Sequence, residues 1–135
     1  MKVNFINFSD PKDHKYFLLT GGEIILKQDA IDKILQKLAN NGFIEKISIS
    51  QDELDTIQEI VSRNLGGSLF QENLIIHIKH TSGKFPEKIK SLLEDEQIFK
   101  SPNISLIIES SIDKTPASSS WISNFDSYGL IINCA

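Results

Sequence analysis

Short apolar runs alternate along this chain with longer stretches in which apolar residues recur every three or four positions, a pattern that predicts strands alternating with helices. Tyr16-Phe17-Leu18-Leu19-Thr20 is an apolar run stopped by Gly21-Gly22, which reads as a buried strand. From about residue 23 to residue 40, Ile24, Ile31, Ile34, Leu35 and Leu38 make the apolar stripe of a helix. Asn41-Gly42 ends it, because glycine takes the left-handed conformation without steric cost. Lys46-Ile47-Ser48-Ile49, with Phe43 and Ile44 leading in, is the next strand. Ser50-Gln51-Asp52-Glu53 has the spacing of a capping box and predicts a helix carrying Leu54, Ile57, Ile60, Val61 and Leu65 on one face.

The pattern continues with a strand over 74–78, then a helix opened by Pro86 at its first turn with Ile89, Leu92 and Leu93 inward. Residues 104–108 form the fourth main strand. A polar loop over 110–120 leads to a short helix with Trp121, Ile122 and Phe125, and 130–133 is the last strand. Apolar strands joined by crossover helices indicate a mostly parallel, five-stranded sheet covered on both faces. With right-handed crossovers the expected fold is a three-layer, doubly wound α/β domain over 16–135, preceded by an extension over 1–15. Because the chain stops just after a strand, it is expected to be a domain of a longer protein.

The first strand-to-helix turn invites comparison with a phosphate-binding loop, G-x-x-x-x-G-K-[ST]. The matching window is Gly21-Gly22-Glu23-Ile24-Ile25-Leu26-Lys27-Gln28. The first glycine and the lysine fall in register, but Leu26 replaces the second glycine and Gln28 the hydroxyl. Leucine resists the backbone conformations that aim amides at a phosphate, and glutamine offers magnesium no hydroxyl. Glu23 also sets a negative charge where an anion would sit. The residues read instead as a capped helix start anchored by Ile24 and Ile25.

Other groups have plain readings. His77 and His80 are three apart on a strand and point to opposite faces, so they do not share a metal. His14 is a surface residue by its setting, and one of Ser118, Ser119 and Ser120 is expected to cap the Trp121 helix. Lys79, Lys84, Lys88 and Lys90 form a locally basic stretch that reads as a solvated face, as does Glu94-Asp95-Glu96. Trp121, Phe125 and Tyr128 read as packing beneath the sheet. No catalytic, cofactor or metal site is expected.

Composition narrows the class. The 135 residues include 40% hydrophobic and 24% charged positions and carry a formal net charge of -4, which argues against a general basic face for nucleic acid. This does not exclude a subunit that meets DNA only within a larger assembly. A single cysteine, Cys134, excludes an internal disulfide and reads as a small core residue. With no signal peptide and no long apolar stretch, a cytoplasmic, membrane-free protein is expected.

One segment does not fit the plain pattern. Between the second helix and the strand at 74–78, the run Leu65-Gly66-Gly67-Ser68-Leu69-Phe70-Gln71-Glu72-Asn73 places two bulky apolar residues in a glycine-loosened connection. Such connections run on the surface, so Leu69 and Phe70 either fold back onto the core or are offered to a partner.

The order of elements resembles the N-terminal domain of the delta subunit of bacterial DNA polymerase III, part of the sliding-clamp loader. The residues that carry the resemblance are the opening Tyr16–Thr20 strand with Gly21-Gly22-Glu23, Ser68-Leu69-Phe70 followed by Leu74-Ile75-Ile76, and Leu106-Ile107-Ile108 with Trp121, Phe125, Gly129 and Cys134. The resemblance implies an AAA+ type domain, P-loop-like without a functional phosphate loop, in a subunit that does not itself hydrolyse ATP. It implies that Ser68, Leu69 and Phe70 form a tip that binds the beta sliding clamp and helps open the ring. Other clamp-loader subunits would be met through C-terminal lid and collar domains absent from this chain. Two alternatives remain from the residues alone: a small P-loop-like NTPase using Lys27 and Glu109, and a structural α/β domain that buries Leu69 and Phe70 itself.

Overall fold

The computed structural model describes residues 2–4, 14–57, 59–60, 73–81, 84–95, 97–100, 103–112 and 120–134. Six strands form one sheet: β1 (Lys2–Asn4), β2 (Tyr16–Thr20), β3 (Glu45–Ser50), β4 (Leu74–His80), β5 (Ile104–Ser110) and β6 (Leu130–Asn133). Their order is β1-β6-β2-β5-β4-β3, and every pairing is parallel. The five expected strands are all present, and the short β1 joins them by pairing Lys2 to Ile131 and Asn4 to Asn133 at the sheet edge. β2 lies inside the sheet, with Phe17, Leu18 and Leu19 wholly buried, which is why its sequence is apolar without alternation.

Helices cover both faces. On one side lies α1 (Ile24–Asn40), whose Ala30, Ile31, Ile34 and Leu38 pack on Phe17, Leu19, Ile75, Ile107, Leu130 and Ile132. On the other lie a 3-10 helix (Gln51–Thr56), α2 (Glu87–Glu94), α3 (Gln97–Lys100) and α4 (Ser120–Tyr128). That second layer is rich in aromatic contacts. Phe85 stacks on Trp121 with centroids 4.6 Å apart, and Phe99 meets Tyr16 and Phe125 edge-on at 5.0 and 5.4 Å.

Several local expectations change. Ile24 is in phase with the buried stripe of α1, yet it is 74% exposed and Ile25 80% exposed, so neither anchors the helix. Periodicity fixes the direction in which a side chain leaves a helix, not whether a sheet still lies beneath it. The helix start is also uncapped, since Glu23 makes no side-chain hydrogen bond there. Phe43 is buried, whereas Ile44, its neighbour, is exposed. The element after Ser50 begins as a 3-10 helix, with the Glu53 carboxylate accepting from the Ser50 hydroxyl at 2.9 Å and from its backbone N–H at 3.4 Å. Pro86 is the N-cap of α2 rather than its first helical residue. The Ser118-Ser119 caps and the inward residues Val61 and Leu65 lie outside the described residues, as does the side chain of Ser120.

Candidate functional site

In an open parallel sheet, ligands bind beyond the carboxyl ends of the strands, at the point where the strand order reverses. Here that point is the end of β2, flanked by β5 and β6. Leu26 and Gln28 replace two parts of a phosphate loop there, and among those that remain the amides of Gly21 and Glu23 and the Lys27 ammonium are already engaged. Gly21 has a φ of 101°, a conformation that favours glycine, and its N–H donates to the Ile112 carbonyl at 2.8 Å. The Glu23 N–H donates to the Cys134 carbonyl at 3.2 Å, and the Cys134 N–H donates to Thr20 at 2.7 Å. The turns after β2, β5 and β6 are thereby tied together.

Lys27, the residue in register with a phosphate-loop lysine, is only 5% exposed. Its Nζ donates to the Ser110 carbonyl at the end of β5, 3.2 Å away. It sits one helical step before Ala30 and Ile31 on the inward stripe, so its burial was readable from spacing, although lysine at such a position is uncommon. Ser110 joins both layers: its carbonyl takes Lys27, and its hydroxyl lies 2.9 Å from Nδ1 of His80 on the opposite face.

Glu109, the other residue of the enzyme alternative, faces α1 beside Lys27 but is held by a different partner. His77 Nε2 donates to its Oε2 at 3.1 Å. That bond holds the Glu109 carboxyl below its usual range. Partial burial opposes the shift, and the attraction of His77, Lys79 and Lys27 adds to it. His77 and His80 do point to opposite faces, as strand periodicity requires, and both are buried. Neither histidine pairing was legible in sequence, because the partners stand 32 and 30 positions away. Among the described residues no group of three or more His, Cys, Asp or Glu side chains is placed to hold a metal ion.

Two of the four lysines of the basic stretch are paired. Lys79, Lys84 and Lys88 are exposed. Lys88 bonds Asp55 across the shallow cleft between the 3-10 helix and α2, and Lys90 bonds Glu87 at 3.2 Å. Cys134 is fully buried, and burial pushes its thiol up to about 11. Ser68, Leu69 and Phe70 lie outside the described residues. The strand that follows them is pinned at its start, where Asn73 Nδ2 donates to the Gly42 carbonyl at 3.3 Å and the Leu74 N–H donates to Asn103 at 2.8 Å.

A family model described as DNA polymerase III, delta subunit, matches residues 17–135. The chain belongs to this delta-subunit family. Its fold is similar to that of the Bacillus subtilis DNA clamp loader delta protein (YqeN), with a TM-score of 0.57 and 18% identity over 90% of this chain. It is also similar to C. elegans PCH-2, with a TM-score of 0.50 and 15% identity over 90% of the chain. The chain spans 38% of the length of the first of these proteins and 34% of the second. Among curated proteins none matches it. The family match takes in Trp121, Phe125 and Gly129, and the last of these has a clear physical role. A Cβ at Gly129 would lie 2.5 Å from the Tyr16 carbonyl oxygen, so only glycine lets the end of α4 pass this close to β2. Among the described residues no helix is long and apolar enough to cross a membrane.

Proposed function

We propose that this chain is the N-terminal domain of a clamp-loader delta subunit, and that it binds the beta sliding clamp through a tip made by Ser68, Leu69 and Phe70. In this reading it acts in DNA replication by favouring the opened ring, and it does so without hydrolysing ATP. Clamp loading itself belongs to the assembly, in which other subunits bind nucleotide and DNA. Membership of the delta-subunit family is the observation that carries the proposal.

Two further features support it. At the end of β2 the amides of Gly21 and Glu23 and the Lys27 ammonium are committed to backbone carbonyls, which supports a reading without phosphate binding. The connection before β4 carries an apolar pair behind two glycines, the composition of a projecting anchor. Fully burying leucine and phenylalanine is worth ~1.5–3 kcal/mol each before the costs of association. A wedge of this kind shifts ring opening only by its differential affinity for the open state, so no bond need be made or broken.

The test is a surface-binding measurement with the purified beta clamp of the same organism. The wild-type domain is expected to bind saturably, and Leu69→Ala with Phe70→Ala to abolish binding while the circular dichroism spectrum and the unfolding midpoint stay unchanged. An unaltered affinity in the double variant, or its failure to fold, refutes the tip. Saturable binding of ATP with magnesium by the wild-type domain would favour the NTPase alternative instead.

A further inference from the structure

Asn41 and Gly42 turn the chain between α1 and β3, and the two residues after them go separate ways. Phe43 is buried in the cluster beneath α1, whereas Ile44 is 79% exposed and belongs to neither cluster of the sheet. Extended backbone accepts a β-branched residue here, but threonine would meet that preference without setting a large apolar side chain in water. A single exposed isoleucine is ordinary on a protein surface. What sets Ile44 apart is where it stands.

It stands at the base of the connection that carries Leu69 and Phe70. Glu45 pairs with Leu74, so Ile44 and Asn73 are the residues just before two neighbouring strands begin. The Asn73 side chain crosses between them, its Nδ2 donating to the Gly42 carbonyl at 3.3 Å. Glycine suits this clip twice, because position 42 has a φ of 90° and an added Cβ would lie 3.2 Å from the same Nδ2. From the other side the Leu74 N–H donates to the Asn103 carbonyl at 2.8 Å. The chain on the tip side of Asn73 is thus anchored to the turn that presents Ile44.

Covalent geometry bounds the separation of Ile44 and the tip. Neighbouring strands lie about 4.8 Å apart, and three residues of chain reach at most about 11 Å. The backbone of Phe70 therefore lies within about 16 Å of that of Ile44, whatever path the chain takes. A stable protein contact covers about 800 Å² of each partner, a disc about 16 Å in radius. One leucine and one phenylalanine fill only part of that area. A partner that takes both side chains into a pocket and makes a contact of ordinary size also meets Ile44. Around Ile44 the polar residues Asn40, Asn41, Glu45 and Lys46 are exposed, which gives an apolar point with a polar border, as in the core and rim of protein contacts. The other strongly exposed isoleucines, Ile24 and Ile25, lie beyond the opposite ends of the strands.

We propose that Ile44 is a second apolar contact for the sliding clamp, beside the tip of Ser68, Leu69 and Phe70, and that the Asn73–Gly42 hydrogen bond holds the two contacts in register. This rests on the reading of that tip as the clamp-binding element. Ile44 touches the clamp in this account, and Asn73 is a positioning residue.

The experiment measures binding of the purified chain to the beta clamp of the same organism. Ile44→Ser is expected to weaken binding about tenfold, the effect of losing one partly buried apolar side chain. Ile44→Leu, which keeps the apolar surface, and Ile25→Ser, an equally exposed site at the far end of the sheet, are expected to stay within about twofold of the wild type. The unfolding midpoint is expected to be the same in all three. Asn73→Ala is expected to weaken binding in the wild-type background and to do so less when Ile44 is already serine, a coupling that a purely structural role for Asn73 would not produce.

If Ile44→Ser binds like the wild type while Leu69→Ala with Phe70→Ala loses binding, the proposal fails and the tip reading stands. Equal losses from Ile44→Ser and Ile25→Ser also overturn it, because the effect would then be general stickiness of exposed apolar surface. If Ile44→Ser weakens binding and the tip variant does not, the tip reading fails while the contact at Ile44 stands. A wild-type chain that does not bind the clamp refutes both.

Discussion

Lys27 and Ser110 stand 83 positions apart in sequence and meet through a buried hydrogen bond of 3.2 Å, from the ammonium of α1 to the carbonyl that ends β5. The lysine that in a nucleotide site would face phosphate here secures helix to sheet. Lys27→Met keeps most of the side-chain volume but leaves the Ser110 carbonyl without this donor. A buried acceptor left unsatisfied costs ~1–3 kcal/mol, and the variant is expected to lose stability in that range by urea unfolding. A phosphate-binding lysine would behave in the opposite way: its loss would abolish ATP binding and leave stability intact.

Gly129 tests how closely α4 must approach β2. An added methyl group would meet the Tyr16 carbonyl oxygen at 2.5 Å and the Tyr16 and Phe125 side chains at 3.0 and 3.1 Å. Backbone cannot yield as a flexible side chain does. Gly129→Ala is therefore expected to destabilise the domain by ~1–3 kcal/mol, the usual cost of overpacking, with the unfolding midpoint as readout. An unchanged midpoint would mean that the turn between α4 and β6 opens without cost.

The fold was legible because its strands are continuous apolar runs, and such runs imply burial on both faces whatever the partners. Tyr16–Thr20, Leu74–His80 and Ile104–Ser110 are of this kind, and the helices between them carry the expected stripes. Short elements were not legible. The three residues of β1 and the four of α3 are too few to repeat the period that would reveal them, although Ile98 and Phe99 are core residues. The candidate site was half legible. The defects at Leu26 and Gln28 are local and visible in the motif, whereas the pairing of Lys27 with Ser110 and of His77 with Glu109 depends on the strand order. No local pattern encodes that order. Ile24 shows the converse error, a position correctly phased for the core that the sheet does not reach.

Cys134 gives a kinetic probe of the end of β6. Its thiol is fully buried, and burial raises its pKa to about 11, so the reactive thiolate is scarce at pH 8. A chromogenic disulfide reagent is expected to label the native domain slowly, at a rate set by opening of the structure, and the urea-unfolded chain at once. Labelling of the native protein as fast as a free thiol would show that the strap between Thr20, Cys134 and Glu23 opens readily, contrary to its backbone hydrogen bonds.

The His77–Glu109 bond makes the acid limb of stability predictable in sign. Glu109 titrates below its ordinary value of 4.5 in the folded protein, chiefly because His77 donates to its carboxylate at 3.1 Å. A carboxyl whose folded pKa lies below its unfolded one binds fewer protons in the folded state. Its contribution to stability is therefore complete above the unfolded value and declines as pH falls through the folded one. Glu109→Gln keeps an acceptor for His77 Nε2 and removes the titration. The variant is expected to be less stable than the wild type near neutrality, because the charge-assisted bond is weakened. The difference should shrink as pH drops below 4.5, and urea unfolding from pH 7 to pH 3 measures it. A gap that stayed constant over that range would mean that Glu109 ionises alike in the folded and unfolded chains, and that the bond to His77 does not bias its charge.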